Sequence, residues 1–196
     1  MECIPSHVLL GAYTEGVFPM AEDGEIYWFS PVQRGVIPID ECFHIPRGLK
    51  KSLRKKPFKI RMNTAFRQVM EACASREETW INDVILNSYC ELHALGFAHS
   101  VECWDDEGLQ GGLYGVALGK AFFGESMFSH KTDASKMALV YLVEWMRDRD
   151  YLLLDTQWMT PHLQQFGGME VPRDEYLRLL EEALADMEES ASVDLS

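Results

Sequence analysis

The sequence predicts an α+β protein with a central, mostly antiparallel sheet. Of its 196 residues, 47% are hydrophobic and 25% are charged, values that are typical of globular proteins and exclude disordered and fibrous classes. Three strand-like segments follow one another between residues 100 and 125 and are punctuated by glycines, as in a meander. A strongly amphipathic helical pattern comes next at residues 133–147. Strands in succession, followed by helix, strand and helix, favour an α+β layout.

The first segment is rich in glycine, proline and aromatic residues. A helix is predicted at residues 6–15, with Ser6 as its N-cap and Gly16 as its terminator. A short strand is predicted at residues 25–29. This segment is too small to form a core of its own, so it should pack against the larger remainder of the chain.

The chain is accordingly divided into a small N-terminal domain, residues 1–33, and a larger domain, residues 34–196. In the first half of the larger domain, strands and helices are mixed, and Asn63 and Asn82 each occupy a position suited to an N-cap. The predicted elements are strand 34–38, helix 46–55, strand 58–62, a helix from Asn63 to residue 73 and a helix from Asn82 to residue 95.

In the second half, glycines punctuate the meander and apolar residues mark the core faces. The predicted elements are strands 100–104, 109–118 and 120–125, helix 133–147, strand 151–155 and helix 173–187. The acidic, serine-containing residues 188–196 should be frayed.

The net charge of −13 argues at first against a nucleic-acid partner, since polyanion binding needs positive charge. The charge is unevenly distributed, however. No acidic residue occurs from His44 through Val69, and eight of the 18 basic residues lie between Arg47 and Arg61. On a helix, Arg47, Lys50, Lys51 and Arg54 share one face. Two interpretations stay open: a solvated face balanced by the acidic surface, or a patch that follows phosphates.

Two segments carry candidate chemistry. A glycine-edged hairpin delivers Glu125 at the end of an apolar strand, where a carboxylate needs a partner. That partner could be Lys136 in a structural ion pair, or the cationic group of a ligand. In the second segment, a strand of three leucines ends in Asp155-Thr156-Gln157. Strand alternation places Asp155 and Gln157 on one face, where Asp155 could fix the Gln157 amide and leave its carbonyl free to accept a hydrogen bond.

Other site classes have little support. The five cysteines are scattered without CxxC spacing, which favours reduced thiols over disulfides or structural zinc. No apolar run reaches the ~20 residues that span a bilayer, and no secretory signal precedes the first helix. We therefore expect a cytoplasmic protein, without metal and without a membrane partner.

Together these motifs resemble the leucyl/phenylalanyl-tRNA–protein transferase family over about residues 9–176. The most specific blocks are Gly-Glu-Ser-Met-Phe-Ser at 124–129 and Ala-Ser-Lys at 134–136. Gly-Leu-Tyr-Gly-Val at 112–116 and Asp155 with Gln157 also match. Met20 stands where the family usually has tryptophan, and the N-terminal part is shorter than usual.

The resemblance implies a fold of the acyl-CoA N-acyltransferase (GNAT) type behind a shortened N-terminal domain. It also implies transfer of leucine, phenylalanine or methionine from aminoacyl-tRNA to an N-terminal arginine or lysine, which marks the acceptor protein for degradation. No cofactor is implied, and we expect a monomer.

The resemblance further implies roles for individual residues. Asp155, Gln157 and Glu125 are the catalytic candidates, and Tyr13 and Trp80 could flank the terminal adenosine of the tRNA. The remaining assignments are Leu113, Phe122, Met127 and Met146 for the aminoacyl pocket, and Arg47, Lys50, Lys51, Arg54, Lys55 and Lys56 for the acceptor stem.

Two alternatives remain from the residues themselves. An acyl-CoA-dependent N-acetyltransferase would need a glycine-rich pyrophosphate loop, yet residues 129–135 contain no glycine. A non-catalytic reader of basic protein N-termini would use Glu125 but would not need Asp155 and Gln157.

Overall fold

The computed structural model describes residues 2–76 and 79–193. The helices of this part are α1 (Ser6–Thr14), α2 (Arg47–Lys55), α3 (Phe66–Ala74), α4 (Asp83–Ala94), α5 (Ala134–Arg147), α6 (Pro161–Gln164) and α7 (Arg173–Val193). The strands are β1 (Phe18–Glu22), β2 (Glu25–Phe29), β3 (Gln33–Ile37), β4 (Lys59–Met62), β5 (Ala98–Asp105), β6 (Gly108–Leu118), β7 (Ala121–Ser129), β8 (Leu153–Gln157) and β9 (Met169–Pro172).

The main sheet has seven strands in the order β4-β5-β6-β7-β8-β3-β9, and β1 and β2 form a separate hairpin. Every neighbouring pair in the sheet is antiparallel except β7 and β8, which run parallel. The predicted α+β class, the mostly antiparallel sheet and the small N-terminal part are confirmed.

Two apolar cores cover the two faces of the sheet. The first packs side chains of α1, α3, α4 and α7 against one face, with Leu9, Val69, Ile85 and Leu180 buried there. The second packs α5 and α2 against the other face. The periodicity of the sequence therefore placed the helices correctly, since each buries one stripe on the sheet.

The helix starts were harder to predict. Asn82 caps α4 as expected, because its Oδ1 accepts a hydrogen bond from the Ile85 amide at 2.9 Å. Ser6 was wrong as a cap: Pro5 occupies that position, and the Ser6 hydroxyl donates to the Glu91 carboxylate at 2.8 Å.

Asn63 was also wrong as a cap. It lies in the left-handed region at φ +60°, which asparagine tolerates, and its Oδ1 accepts from the Ser100 amide on β5. The free amides ahead of α3 are bound instead by the Glu102 carboxylate, which accepts from Thr64 and Ala65 at 2.9 and 2.8 Å. A partner from another strand replaces the local cap.

Three short elements were not predicted: β1, α6 and β9. Each has four or five residues, too few to establish a period, and β9 is an edge strand that ends at Pro172. Helix α7 extends past the predicted end to Val193, so residues 188–193 are helical where fraying was expected. The remaining residues of that prediction, 194–196, lie outside the described part.

Within residues 2–76 and 79–193, no helix is both long and apolar enough to cross a membrane. The same residues contain no group of three or more side chains placed to hold a metal ion. All five cysteines are free thiols in the structure.

Candidate active site

The candidate site lies where the two parallel strands separate. Strands β7 and β8 pair only from Ala121–Leu153 to Phe123–Asp155, after which β7 continues to Ser129 without β8 beside it. A cavity of about 350 Å³ opens there. Its apolar wall consists of Leu113, Met127, Leu139, Leu142, Leu154 and Leu163.

Glu125 reaches the site through a β-bulge. In the β6–β7 ladder Tyr114 pairs with Ser126 and Gly115 with Gly124, which leaves Glu125 as the extra residue. A Cβ on Gly115 would lie 2.2 Å from the Phe123 carbonyl oxygen, so the bulge requires glycine at that position. The alternation of β7 is thus broken at the residue that carries the carboxyl group.

The Glu125 carboxyl group is buried among hydrogen-bond donors. Its Oε1 accepts from the Tyr13 hydroxyl at 2.6 Å and from Gln157 Nε2 at 2.7 Å, and its Oε2 lies 3.4 Å from the Tyr89 hydroxyl. Burial raises the pKa of Glu125 to about 8, and the nearby Asp155 charge adds to this effect, while the hydrogen bond from Tyr13 opposes it. Of the two partners left open for Glu125, the structural ion pair with Lys136 does not form, because the Lys136 ammonium pairs with Asp133 instead.

Gln157 is held in an unusual backbone conformation at the end of β8. It has φ +62°, the left-handed region that non-glycine residues rarely adopt. The Asp155 carboxylate accepts its backbone amide at 2.7 Å and so supports this turn. The prediction that Asp155 fixes the Gln157 side-chain amide is wrong. Glu125 does so, because the bulge at Thr156 breaks strand alternation between the two residues.

Asp155 forms a buried ion pair with Arg34 on β3. The Arg34 Nη2–Asp155 Oδ2 distance is 2.6 Å, and the two side chains are 1% and 0% exposed. The Tyr176 hydroxyl of α7 also donates to Asp155 at 2.8 Å. The guanidinium lies between the rings of Phe18 and Tyr176 and donates to the Gly16 carbonyl. Asp155 therefore does not line the cavity; it organises the strand that presents Gln157.

Three buried side-chain polar atoms in the described part of the chain lack a hydrogen-bond partner: Tyr114 Oη, Thr156 Oγ1 and His162 Nε2. All three residues line this one cavity. Since buried polar groups are normally satisfied, an unpartnered polar atom beside a cavity is a candidate contact for a polar ligand.

Comparison with known proteins gives two matches to family models. A family model described as "Leucyl/phenylalanyl-tRNA protein transferase" matches residues 36–181, and the model of that family's N-terminal domain matches residues 5–32. The chain belongs to this transferase family. Tyr13 lies in the N-terminal match, Tyr114, Glu125 and Gln157 lie in the larger match, and Arg34 lies in the short interval between them.

Three relatives bear the name leucyl/phenylalanyl-tRNA–protein transferase. The protein from Akkermansia muciniphila is 60% identical over 91% of this chain and 95% of its own length. Those from Herpetosiphon aurantiacus and Paramagnetospirillum magneticum are each 52% identical, over 90% and 95% of this chain and 93% and 92% of their own lengths. Among solved structures, L-PGS from Bacillus licheniformis superposes with a TM-score of 0.45 at 12% identity, over 79% of this chain and 52% of that one.

The aminoacyl-pocket residues inferred from the transferase family divide into two groups. Leu113 and Met127 line the cavity. Phe122 and Met146 do not: both are fully buried in the core beneath α5, behind the cavity wall. As lining residues those two were wrong, because their strand and helix turn them into the closed core.

The two aromatic residues assigned to the terminal adenosine of the tRNA, Tyr13 and Trp80, differ in whether they reach the cavity. Trp80 is half-buried and lines the cavity, as does Met20. Tyr13 is fully buried, with its ring against Phe123 and its hydroxyl on Glu125, so it is not placed to stack on an incoming base. The structure adds Trp158, which also lines the cavity and is 40% exposed.

The basic residues assigned to the acceptor stem form a continuous surface on α2 and just after it. All six, Arg47, Lys50, Lys51, Arg54, Lys55 and Lys56, are exposed. On the opposite side of α2, Leu49 packs into the core and the Ser52 hydroxyl donates to Asp133 beside the start of α5. Within the described residues no acidic partner lies within 4.0 Å of the six cations, which favours a surface left available for an external polyanion.

Four residues of the site were not predicted from the sequence: Arg34, Tyr89, Tyr114 and Tyr176. Arg34 pairs with a residue 121 positions away, and Tyr89 meets Glu125 across 36 positions. No local sequence pattern predicts such distant partners. The only indication in the sequence is that a buried carboxyl group such as Glu125 needs hydrogen-bond donors or a cation around it.

Proposed function

We propose that the protein transfers leucine, phenylalanine or methionine from aminoacyl-tRNA to the N-terminal arginine or lysine of an acceptor protein. The observation that carries the proposal is the cavity between β7 and β8, which is apolar along one wall and is also lined by the hydrogen-bonded pair Gln157 and Glu125. Membership of the transferase family supports the same reaction. The new amide bond would mark the acceptor for degradation.

The apolar wall suits the side chain of the donor amino acid. A volume of about 350 Å³ is within the range of small-ligand sites, and its wall of leucines together with Met127 suits unbranched, branched and aromatic side chains. Methionine repacks easily, which fits a pocket that accepts more than one residue type.

Gln157 would act on the attacking amine. Because its Nε2 donates to Glu125, its Oε1 is turned away and can accept a hydrogen bond from the α-amine of the acceptor protein. The aminoacyl ester is already activated, so positioning supplies much of the rate, up to ~7–11 kcal/mol of the barrier. Asp155 would be a positioning residue that holds Gln157 through its backbone amide.

Glu125 would orient the reacting groups and would not bind the arginine or lysine side chain of the acceptor protein. Its carboxyl group is bound by Tyr13 and Gln157, and with a pKa of about 8 it is largely neutral near pH 7. A neutral, fully engaged carboxyl group is a poor ligand for an arginine or lysine side chain.

The tRNA would approach along α2 and the mouth of the cavity. The six exposed cations of α2 and its end would track phosphates of the acceptor stem. Trp80 would stack on the terminal adenosine, and the exposed Trp158 would supply a second aromatic face where Met20 cannot.

The proposal also covers the domain organisation, the cellular location and the oligomeric state of the protein. Residues 1–33 would form a small domain and residues 34–196 a GNAT-like transferase domain, which the gap between parallel β7 and β8 supports. The reaction consumes aminoacyl-tRNA, so it would take place in the cytoplasm. We propose a monomer that uses no cofactor.

The test offers radiolabelled Leu-tRNA, Phe-tRNA or acetyl-CoA together with a peptide that begins with arginine and a matched peptide that begins with alanine. Leucine or phenylalanine on the arginine peptide alone is the expected result. Acetyl incorporation would contradict the proposal and indicate an acyl-CoA-dependent N-acetyltransferase. Peptide binding without any transfer would indicate a non-catalytic protein that recognises basic N-termini.

The same assay tests Gln157. Gln157→Leu removes the acceptor while keeping the approximate size, and kcat should fall by ~10²–10⁴-fold. Gln68→Leu, at an exposed position on α3, is the control and should keep wild-type rates. A Gln157→Leu variant that transfers as fast as the control would contradict the assignment.

A further inference from the structure

The Tyr114 side chain has no structural reason to carry a hydroxyl group. Tyr114 lies on β6, is fully buried, and its hydroxyl has no hydrogen-bond partner. Its ring is held edge-on by Phe66 and Tyr89, each at 5.8 Å between ring centroids. A buried hydroxyl without a hydrogen-bond partner lowers the stability of the folded state, so phenylalanine would serve folding better at this position.

Tyr114 lies close to the residues that present the candidate chemistry. Tyr114 pairs with Ser126 across the ladder, beside the bulge that presents Glu125, and it lines the same cavity as both. Glu125 and Gln157 are bonded to each other, and Tyr13 is bonded to Glu125. The Tyr114 hydroxyl is a buried neutral donor on this strand pair that remains without a partner.

The other two unpartnered atoms lie elsewhere on the wall. The Thr156 hydroxyl is 2.8 Å from the place where a Cβ of Gly35 would stand, which puts it against β3 on the side of β8 away from β7. His162 belongs to α6, and it also lines an adjoining cavity with Ser135. Tyr114 is therefore the one of the three that stands on the β6–β7 ladder with Glu125.

Transfer of the aminoacyl group needs a neutral hydrogen-bond donor at the carbonyl oxygen of the ester. The acceptor's amine attacks the ester carbonyl carbon, so a C–N bond forms and the carbonyl oxygen takes the negative charge. When the tetrahedral species collapses, the bond to the ribose oxygen breaks, the nitrogen loses a proton and the ribose oxygen gains one. Gln157 serves the nitrogen, and no residue assigned so far serves the carbonyl oxygen.

We propose that the Tyr114 hydroxyl donates a hydrogen bond to the carbonyl oxygen of the aminoacyl ester and to the oxyanion formed from it. This inference rests on the proposed function of the same cavity. The hydroxyl keeps its proton throughout, because burial holds the pKa of Tyr114 well above its usual value. A single donor aimed at an oxyanion contributes ~10²–10³-fold in kcat.

The first test is Tyr114→Phe, which keeps the ring and removes only the oxygen. We expect kcat to fall by ~10²–10³-fold with an unchanged KM for aminoacyl-tRNA. Thermal unfolding should show no loss of stability, since the hydroxyl has no partner in the folded protein. Tyr151→Phe is the matched control, because that hydroxyl lies at a different cavity, and it should behave as wild type.

The second test separates oxyanion stabilisation from simple donor binding and needs no turnover. Two non-reactive analogues of the aminoacyl-adenosine end are compared, one with a planar amide in place of the ester and one with a tetrahedral phosphonate. Tyr114→Phe should weaken binding of the phosphonate by at least tenfold and leave binding of the amide within about twofold.

Equal losses for both analogues, or kcat within threefold of wild type, would overturn the inference. Failure of the wild-type protein to transfer any amino acid would overturn the proposed function instead, and the analogue comparison would still decide the role of Tyr114.

Discussion

At the scale of single residues, the site depends on a carboxyl group that the fold keeps neutral. Glu125 accepts hydrogen bonds from Tyr13 and Gln157 inside a buried bulge, and its pKa is raised from 4.5 to about 8. A neutral Glu125 can orient the Gln157 amide without placing a second negative charge beside Asp155. The pH dependence of stability should reveal this state.

The unfolded chain releases the Glu125 proton near pH 4.5, whereas the folded protein keeps it up to about pH 8. This stabilising contribution is therefore fully present below pH 4.5 and is lost as the pH rises to about 8. We expect the free energy of unfolding of Glu125→Gln to fall less between pH 5 and pH 8.5 than that of the wild type, as measured by urea titration. The control is Glu144→Gln, at an exposed position on α5, which should keep the wild-type slope. Equal slopes for all three proteins would exclude a proton retained at Glu125.

At the scale of elements, α2 separates a structural face from a charged face. Leu49 and Ser52 attach the helix to the core and to Asp133, while the cations project outward without acidic partners among the described residues. A helix that carries this much like charge is more stable when a polyanion covers it, and this is the physical basis of the proposed contact between α2 and tRNA.

Charge reversal on α2 should flatten the salt dependence of tRNA binding. In the triple variant Lys50→Glu, Lys51→Glu and Arg54→Glu, the slope of log K against log salt should become less steep by about 0.7–0.9 per lost phosphate contact, hence by roughly 2–3 in total. Filter binding over a salt series measures it. Arg149→Glu with Arg178→Glu, at exposed positions outside α2, is the control pair. An unchanged slope in the triple variant would assign the tRNA to another surface.

At the scale of the whole molecule, one buried ion pair joins the N-terminal segment, the sheet and the last helix. Arg34 contacts Asp155 on β8, the Gly16 carbonyl after α1, and the rings of Phe18 and Tyr176. The N-terminal segment also supplies Tyr13 to Glu125. The active site is thus complete only when all three parts are in place.

Breaking this pair should destabilise the whole protein. Arg34→Ala and Asp155→Ala should each cost about 3–5 kcal/mol in urea unfolding, because each leaves a buried charge without its partner. The double variant should cost less than the sum of the two. Additive losses would mean that the two groups are not coupled. Loss of activity in Asp155→Ala alone would therefore report on folding as well as on catalysis, and Gln157 is the cleaner target for kinetics.

Much of this molecule could be predicted from the sequence. The amphipathic period of α5, the glycine-punctuated meander of β5–β7 and the Asn82 cap are local patterns, and each is confirmed. The Gly-Glu-Ser-Met-Phe-Ser and Ala-Ser-Lys blocks, together with the other matching segments, supported the resemblance to the transferase family. The spacing of charges also located the exposed cations of α2.

The tertiary structure decided how the site works. Glu125 replaces Asp155 as the partner of the Gln157 amide because bulges in β7 and β8 break the alternation on which the sequence argument relied. Tyr13 is a hydrogen-bond donor in the core and not a stacking surface, and Tyr114 has an unpartnered hydroxyl at the cavity. A sequence determines periodicity, and so which elements form and which face each one buries. The hydrogen-bond partner of a buried polar group depends on which distant chain segments meet in space. Here the packing of β7, β8 and the N-terminal segment around the cavity decided those partners.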